Sequence, residues 1–230
     1  RAKIEQSPMG AYQWMIVVMA AIMNLLDGFD VLALAFTATA IRSEFGLTGI
    51  ELGYLLSAGL FGMTAGSLFL APLADKIGRR PLLLMAVSLS AIGMLGSAFI
   101  SQYQWLGFWR VITGLGVGGI LVGTNVITSE YSSRKWRSFA ISVYAAGFGI
   151  GAVLGGMFAV MLQGEYGWRS VFLAGAILTG LLLVILFIWL PESIDFLTSK
   201  QPKNAEVRLN LIAKKIGLAG DWKLPAKVEK

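Results

Sequence analysis

Two carboxylates, Asp27 and Asp30, stand three residues apart inside the apolar run 14–40, within Asn24-Leu-Leu-Asp-Gly-Phe-Asp30. An ionised acid near the middle of a membrane helix costs about 2.5–3.5 kcal/mol on insertion scales. A proton or ion pathway, a substrate site or an internal ion pair must offset that cost. The three-residue spacing puts both acids on one helical face, and Asn24 extends the polar stripe by a turn. Burial disfavours the charged form of a carboxylate, and two neighbouring acids resist ionising together, so one of such a pair is a natural proton carrier. Gly28 thins the helix between them, where a substrate or a neighbouring backbone could approach. The plainer reading is a pair of acids that neutralise a buried arginine. Arg110 is the candidate arginine. It opens Arg110-Val-Ile-Thr-Gly-Leu-Gly-Val-Gly118 inside another apolar run, roughly 6–9 Å of helical rise from its outer end. A guanidinium keeps its proton in proteins and needs an anion: an acid of the first run, a substrate carboxylate, or each in turn. A switch between those partners would couple proton to substrate. Its plainer reading is snorkelling to the surface.

The elements that position these residues are membrane helices. Of 230 residues, 56% are hydrophobic and 14% charged, with mean hydropathy +0.71, far from soluble composition. Six runs reach spanning length: 14–40, 52–73, 82–100, 106–128, 139–161 and 171–190. The first lacks a short apolar core with a small-residue cleavage site, so it reads as a retained helix. The chain opens on Arg1 and not Met, which predicts a trimmed terminus. Six spans put both termini on one side. Arg1, Lys3, Lys76, Arg79, Arg80, Arg134, Lys135, Arg137 and the basic residues between Lys200 and Lys230 fall on that side, against Arg42 and Arg169 on the other. That asymmetry predicts cytoplasmic termini and explains the net charge of +6 without nucleic acid.

The outer loops 41–51, 101–105 and 162–169 are short, and Trp105, Tyr166 and Trp168 fall at predicted outer boundaries, where amphipathic rings favour the headgroup layer. Residues 1–190 read as one six-helix membrane domain. Residues 191–230 read as a cytoplasmic linker, with one amphipathic helix at 205–216 that has Val207, Leu211 and Ile212 on one face and Lys214 and Lys215 on the other. Gly147, Gly151 and Gly155 recur at four-residue spacing in the fifth run, Gly114, Gly118 and Gly123 mark the fourth, and Gly62 and Gly66 the second. Small residues let membrane helices approach closely, so a tight bundle is expected. The first and fourth runs each bury charge, a weak internal symmetry of the kind found in inverted three-helix repeats.

The loop Ala71-Pro-Leu-Ala-Asp75-Lys-Ile-Gly78-Arg79-Arg80 carries an acid closing one helix, a glycine at the turn and two arginines opening the next. Glu130, at the end of the fourth run, is a candidate partner for Arg79. The plainer reading is a solvated pair of little energetic weight.

This loop resembles the signature between helices two and three of the major facilitator superfamily. Arg110 with its glycines resembles that superfamily's fourth-helix motif, and Pro191-Glu192-Ser193 resembles the close of its sixth helix. Asp27-Gly-Phe-Asp30 is similar to the run found in its aromatic acid/proton symporters, carriers of benzoate-like, hydroxybenzoate-like and muconate-like anions. The resemblance covers the chain as the amino-terminal half of such a carrier. It implies an all-α membrane fold of six helices in two inverted three-helix repeats, and import of a small aromatic carboxylate or related organic anion by alternating access. Asp27 and Asp30 would serve proton coupling. Arg110 would be needed for transport. Asp75, Gly78, Arg79, Arg80 and Glu130 would form a cytoplasmic gate. Asn24, Phe29, Phe36 and Tyr144 are further substrate-facing candidates. The implied setting is a bacterial inner membrane, with protons as coupling ion and no cofactor. Partners would be the carboxy-terminal half or a second copy of the chain. Two departures stand out: Ala71 replaces the glycine that usually starts the loop motif, and Ala152 replaces the proline of the family's antiporter motif, which favours symport.

Other classes fit less well. A channel would be expected to show a filter loop or paired Asn-Pro-Ala half-helices. An enzyme or metal site would need nucleophile–base pairs or ligands, and His and Cys are both absent. The remaining alternatives are a carrier of another organic anion and a self-pairing half-transporter.

Overall fold

The computed structural model describes residues 8–218 and 224. Six long helices account for the apolar runs: α1 (Ala11–Phe45), α2 (Gly49–Ile77), α3 (Arg79–Ala98), α4 (Tyr103–Tyr131), α5 (Arg137–Tyr166) and α6 (Trp168–Trp189). All six are long and apolar enough to cross a membrane. Nearly every helix runs past its apolar core, so the connections at the predicted outer end shrink to a few residues. Gly46 turns the chain after α1 in the left-handed region (φ 63°), its N–H bonded to the Arg42 carbonyl. Thr48 and Glu51 then form a reciprocal cap that starts α2. Two short helices follow, α7 (Ile194–Lys200) and α8 (Ala205–Ile216).

The helices do not pack in sequence order. The most extensive contacts join α2 to α4 and α1 to α5, followed by α3 to α4 and α3 to α6. Exchanging α1, α2, α3 with α4, α5, α6 maps the first two contacts onto each other, as an inverted repeat requires. The glycines carry the same symmetry. A Cβ on Gly62 or Gly66 of α2 would collide with the backbone of Val111 or Leu115 of α4, and one on Gly147 or Gly151 of α5 with that of Ala21 or Leu25 of α1. Reciprocally, Gly114 and Gly118 of α4 admit the α2 backbone, and Gly28 of α1 admits Phe148 and Ala152 of α5. Gly28 thus thins α1 for a helix neighbour. These notches bring backbones together where lipid offers no hydrophobic drive for association.

Two apolar clusters fill the bundle. One gathers Ile16, Met23, Leu83, Ile127, Tyr131 and Leu186 towards the end where α1 begins. The other gathers Leu34, Leu47, Leu106, Trp168 and Phe172 towards the opposite end. Asp27 and Asp30 lie at the waist between them. Trp168 is 4% exposed, edge-on to Phe45 and Phe172, and donates to Glu44 at 2.6 Å. It belongs to the packed core and not to a headgroup belt, whereas Trp105 and Tyr166 are exposed as expected.

The tail is docked on the bundle. Leu197 of α7 and Leu209, Ile212 and Ile216 of α8 join the cluster around Ile16 and Leu186. The helix at 205–216 forms as the periodicity predicts, but its packed face is Ala205, Leu209, Ile212, Ala213 and Ile216. Val207 and Leu211, expected beside Ile212 on the apolar face, are 60% and 56% exposed. The helix therefore carries apolar residues on its outer side as well.

Candidate functional site

At the waist, Asn24, Asp27, Asp30 and Arg110 are each at most 3% exposed. Asp30 and Arg110 line one cavity of about 30 Å³ with Thr113 and apolar walls from Leu34, Leu55 and Val117. That is room for about one or two waters. Ser90 Oγ of α3 donates to Asp30 Oδ2 at 2.6 Å. The Arg110 guanidinium donates to Ser97 Oγ at 2.9 Å, Thr113 Oγ1 at 3.0 Å, Met94 Sδ at 3.0 Å and the Asp30 backbone carbonyl at 3.3 Å. Its carbon lies 4.8 Å over the Phe172 ring, a cation–π contact. Arg110 is thus held inward by four helices, which excludes snorkelling. Its partners include neutral hydroxyls and a thioether, weaker for a guanidinium than an anion would be. An arriving carboxylate can displace them.

The acids are left with spare acceptors. Among the described residues, Asp27 Oδ2, Asp30 Oδ1 and Asn24 Oδ1 are buried without a hydrogen-bond partner. A buried acceptor without a donor is costly, and binding a proton converts a carboxylate oxygen into a donor. Asn24 Nδ2 donates to the Tyr144 carbonyl at 2.8 Å, pinning α1 to α5. Tyr144 is 6% exposed and its hydroxyl donates to the Leu121 carbonyl at 3.4 Å. The Phe29 ring fills the notches at Gly155 and Gly175, and the Phe36 ring the notch at Gly156. These three rings are engaged in packing.

At the end where α1 and α3 begin, Arg79 pairs with Asp75 at 2.6 Å. Glu130 does not take the expected role of Arg79's partner, although both line one pocket. Its Oε2 instead accepts from Ser193 Oγ at 2.8 Å and the Ile194 N–H at 2.9 Å, ahead of α7. The acid that reaches the start of α3 is Glu192. Its Oε1 accepts from the backbone N–H groups of Arg79 at 2.8 Å, Arg80 at 3.0 Å and Ser193 at 2.9 Å. An anion is favoured there by the helix dipole and unpaired N–H groups. Gly78 sits at φ 104° against that carboxylate, and a Cβ would lie 2.9 Å from its Cδ. Arg80 donates to the Phe187 carbonyl at 2.6 Å and lies over the Phe187 ring.

Residues 20–223 match the family described as Major Facilitator Superfamily. The chain belongs to that superfamily. Similar proteins include a gallate transporter of Pseudomonas putida, 36% identical over 89% of this chain and 45% of that protein. A 4-hydroxybenzoate transporter from the same organism is 35% identical over 90% of this chain and 46% of its own length. The chain therefore spans a little under half the length of these relatives, whose names describe transporters and not enzymes. In fold it resembles the E. coli proton:xylose symporter XylE, with a TM-score of 0.80 over 90% of this chain and 50% of that one, at 22% identity.

The inverted repeats of this major facilitator chain bring Asp30 and Arg110 to one cavity, and leave Asp75, Arg79 and Glu130 together at one pocket but in separate hydrogen-bond sets. Sequence reading missed Ser90, Ser97 and Thr113, since a hydroxyl in a membrane helix can equally bond its own turn. It also missed the reach of Glu192, although Pro191-Glu192-Ser193 broke the apolar run and marked the place.

Proposed function

We propose that this chain forms the amino-terminal half of a proton-coupled symporter that imports an aromatic carboxylate or related organic anion by alternating access. The observation that carries the reading is the cavity shared by Asp30 and Arg110: a guanidinium and a carboxylate against apolar walls. A substrate carboxylate would take the guanidinium from its hydroxyl partners, and its ring would lie against Leu34, Leu55 and Val117. A symporter carries proton and anion together, so the acid pair would hold its proton while the anion is bound and release it after the anion leaves. The cavity is smaller than a benzoate-sized anion, so the opposing wall belongs to another six-helix unit. That unit is either a carboxy-terminal half or a second copy of the chain. The exposed apolar residues of α2 and α5, such as Phe61, Phe69, Leu154 and Met157, suit such a partner or lipid.

The sign of the terminal charges supports cytoplasmic termini in a bacterial inner membrane. Residues 191–230 would then form a cytoplasmic segment that opens a central loop, with protons as the coupling ion and no cofactor. The test is uptake of labelled 4-hydroxybenzoate and gallate by cells expressing the complete reading frame, with and without a protonophore. Accumulation that collapses with the proton gradient supports the reading. Failure to take up any aromatic carboxylate while accumulating another organic anion moves the substrate class and leaves the carrier in place. Accumulation unaffected by the protonophore refutes proton coupling.

A further inference from the structure

A further pocket, of about 250 Å³, opens where α1 and α3 begin and α6 ends. Three cations line it: Arg80 at the start of α3, and Arg208 and Lys215 on the outer side of α8. Arg208, Leu211 and Lys215 recur at helical spacing on one exposed face. Lys215 Nζ stands 5.1 Å over the Tyr12 ring, which holds the ammonium at the pocket. Arg80 uses one of its five N–H donors on the Phe187 carbonyl. The acid lining the pocket, Glu192, turns one oxygen to three backbone N–H groups, and three cations against this one carboxylate leave the cavity cationic.

Beside these charges, Phe187, Ile188 and Trp189 are 65%, 67% and 55% exposed on the last turn of α6. Cations stand on one side and a helix's apolar outer turn on the other. Neither the waist site nor the glycine notches use these residues. We propose that this pocket binds the phosphodiester headgroup of an anionic phospholipid, whose acyl chains run along the final turn of α6. A guanidinium fork matches phosphate oxygens, long basic side chains reach the headgroup layer, and an exposed tryptophan at a span's end lies at that level. A free phosphate ion would meet the same cations but leave the apolar wall and Leu211 without a role. The proposal rests on α6 spanning a membrane. It is independent of substrate and proton coupling.

Native mass spectrometry of the detergent-solubilised chain, titrated with dioleoyl phosphatidylglycerol or dioleoyl phosphatidylcholine, tests it. The chain should retain phosphatidylglycerol preferentially, and R208Q/K215Q should reduce that preference by about tenfold or more. K203Q/K214Q removes the same charge from exposed positions away from the pocket and should keep the preference. Equal retention of the two lipids by the unmodified chain overturns the proposal, as does an equal loss in both double variants. Competition by inorganic phosphate at the same concentration as the lipid also overturns it, because the occupant would then be a soluble anion. All four substituted side chains are exposed, so the bundle core is untouched.

Discussion

The glycine notches make a quantitative prediction along α5, because Gly149, Gly155 and Gly151 meet three different surroundings. A Cβ on Gly149 meets nothing within 4 Å. On Gly155 it would lie 3.0 Å from Phe29 Cβ and 3.1 Å from Phe29 Cγ, a side chain with some freedom to shift. On Gly151 it would overlap the Leu25 carbonyl oxygen and lie 2.6 Å from the carbonyl carbon, which belongs to the rigid backbone of α1. Every Gly→Ala change in the helix gains the same propensity, about 1 kcal/mol on aqueous scales. Differences within the series therefore isolate the contact. Forcing an extra methyl into a packed interface costs about 1–3 kcal/mol. For a chain of this size that corresponds to a Tm drop of roughly 2–12 °C. Thermal unfolding of the detergent-solubilised protein should therefore rank Gly149→Ala at or above the parent, Gly155→Ala below it and Gly151→Ala lowest. If Gly151→Ala melts with Gly149→Ala, α1 and α5 do not touch through backbone and the packing described above is wrong.

Further tests address the waist and the loop. Replacing Asp30 or Asp27 with Asn should abolish proton-driven accumulation in the complete carrier while leaving downhill exchange measurable by counterflow; undiminished uphill uptake refutes the coupling role of that residue. Arg110→Lys keeps the charge but loses the planar fork that reaches Ser97, Thr113 and the Asp30 carbonyl together. Transport should fall by about tenfold or more, and a normal rate means the fork is dispensable. Glu192→Ala removes the acceptor shared by three backbone N–H groups and should destabilise the start of α3 by about 1–2 kcal/mol. Hydrogen exchange at the Arg79 and Arg80 amides reads this directly, and unchanged protection there contradicts the capping role.

The membrane topology was legible because the apolar runs are long and their separators short. All six spans form where hydropathy places them, extended by residues such as Tyr12 and Glu51 that the runs exclude as too polar. The glycine positions foretold close packing but not partners, since four-residue spacing gives a face and not the neighbour that fills it. Asp30 and Arg110 were recognised by charge in an apolar setting. The hydroxyls that hold them carry no such contrast. The pairing of Glu130 with Arg79 was misread for a related reason: Glu130 and Glu192, unlike Asp75, are drawn to unpaired backbone N–H groups, which a search for opposite side-chain charges overlooks. On α8, a stripe read from Val207 and Leu211 missed the docked face because both sides of the helix carry apolar residues.

The crossing of partners between repeats sets a timetable for biogenesis. Asn24 waits 120 residues for the Tyr144 carbonyl, about 6–24 s of synthesis at common elongation rates. During that interval the first three helices sit in the bilayer with mid-membrane carboxylates and an open groove at Gly28 that lipid or an insertase must shield. The largest contacts run between the triplets, so α1, α2 and α3 find most of their helix neighbours only once α4, α5 and α6 have been made.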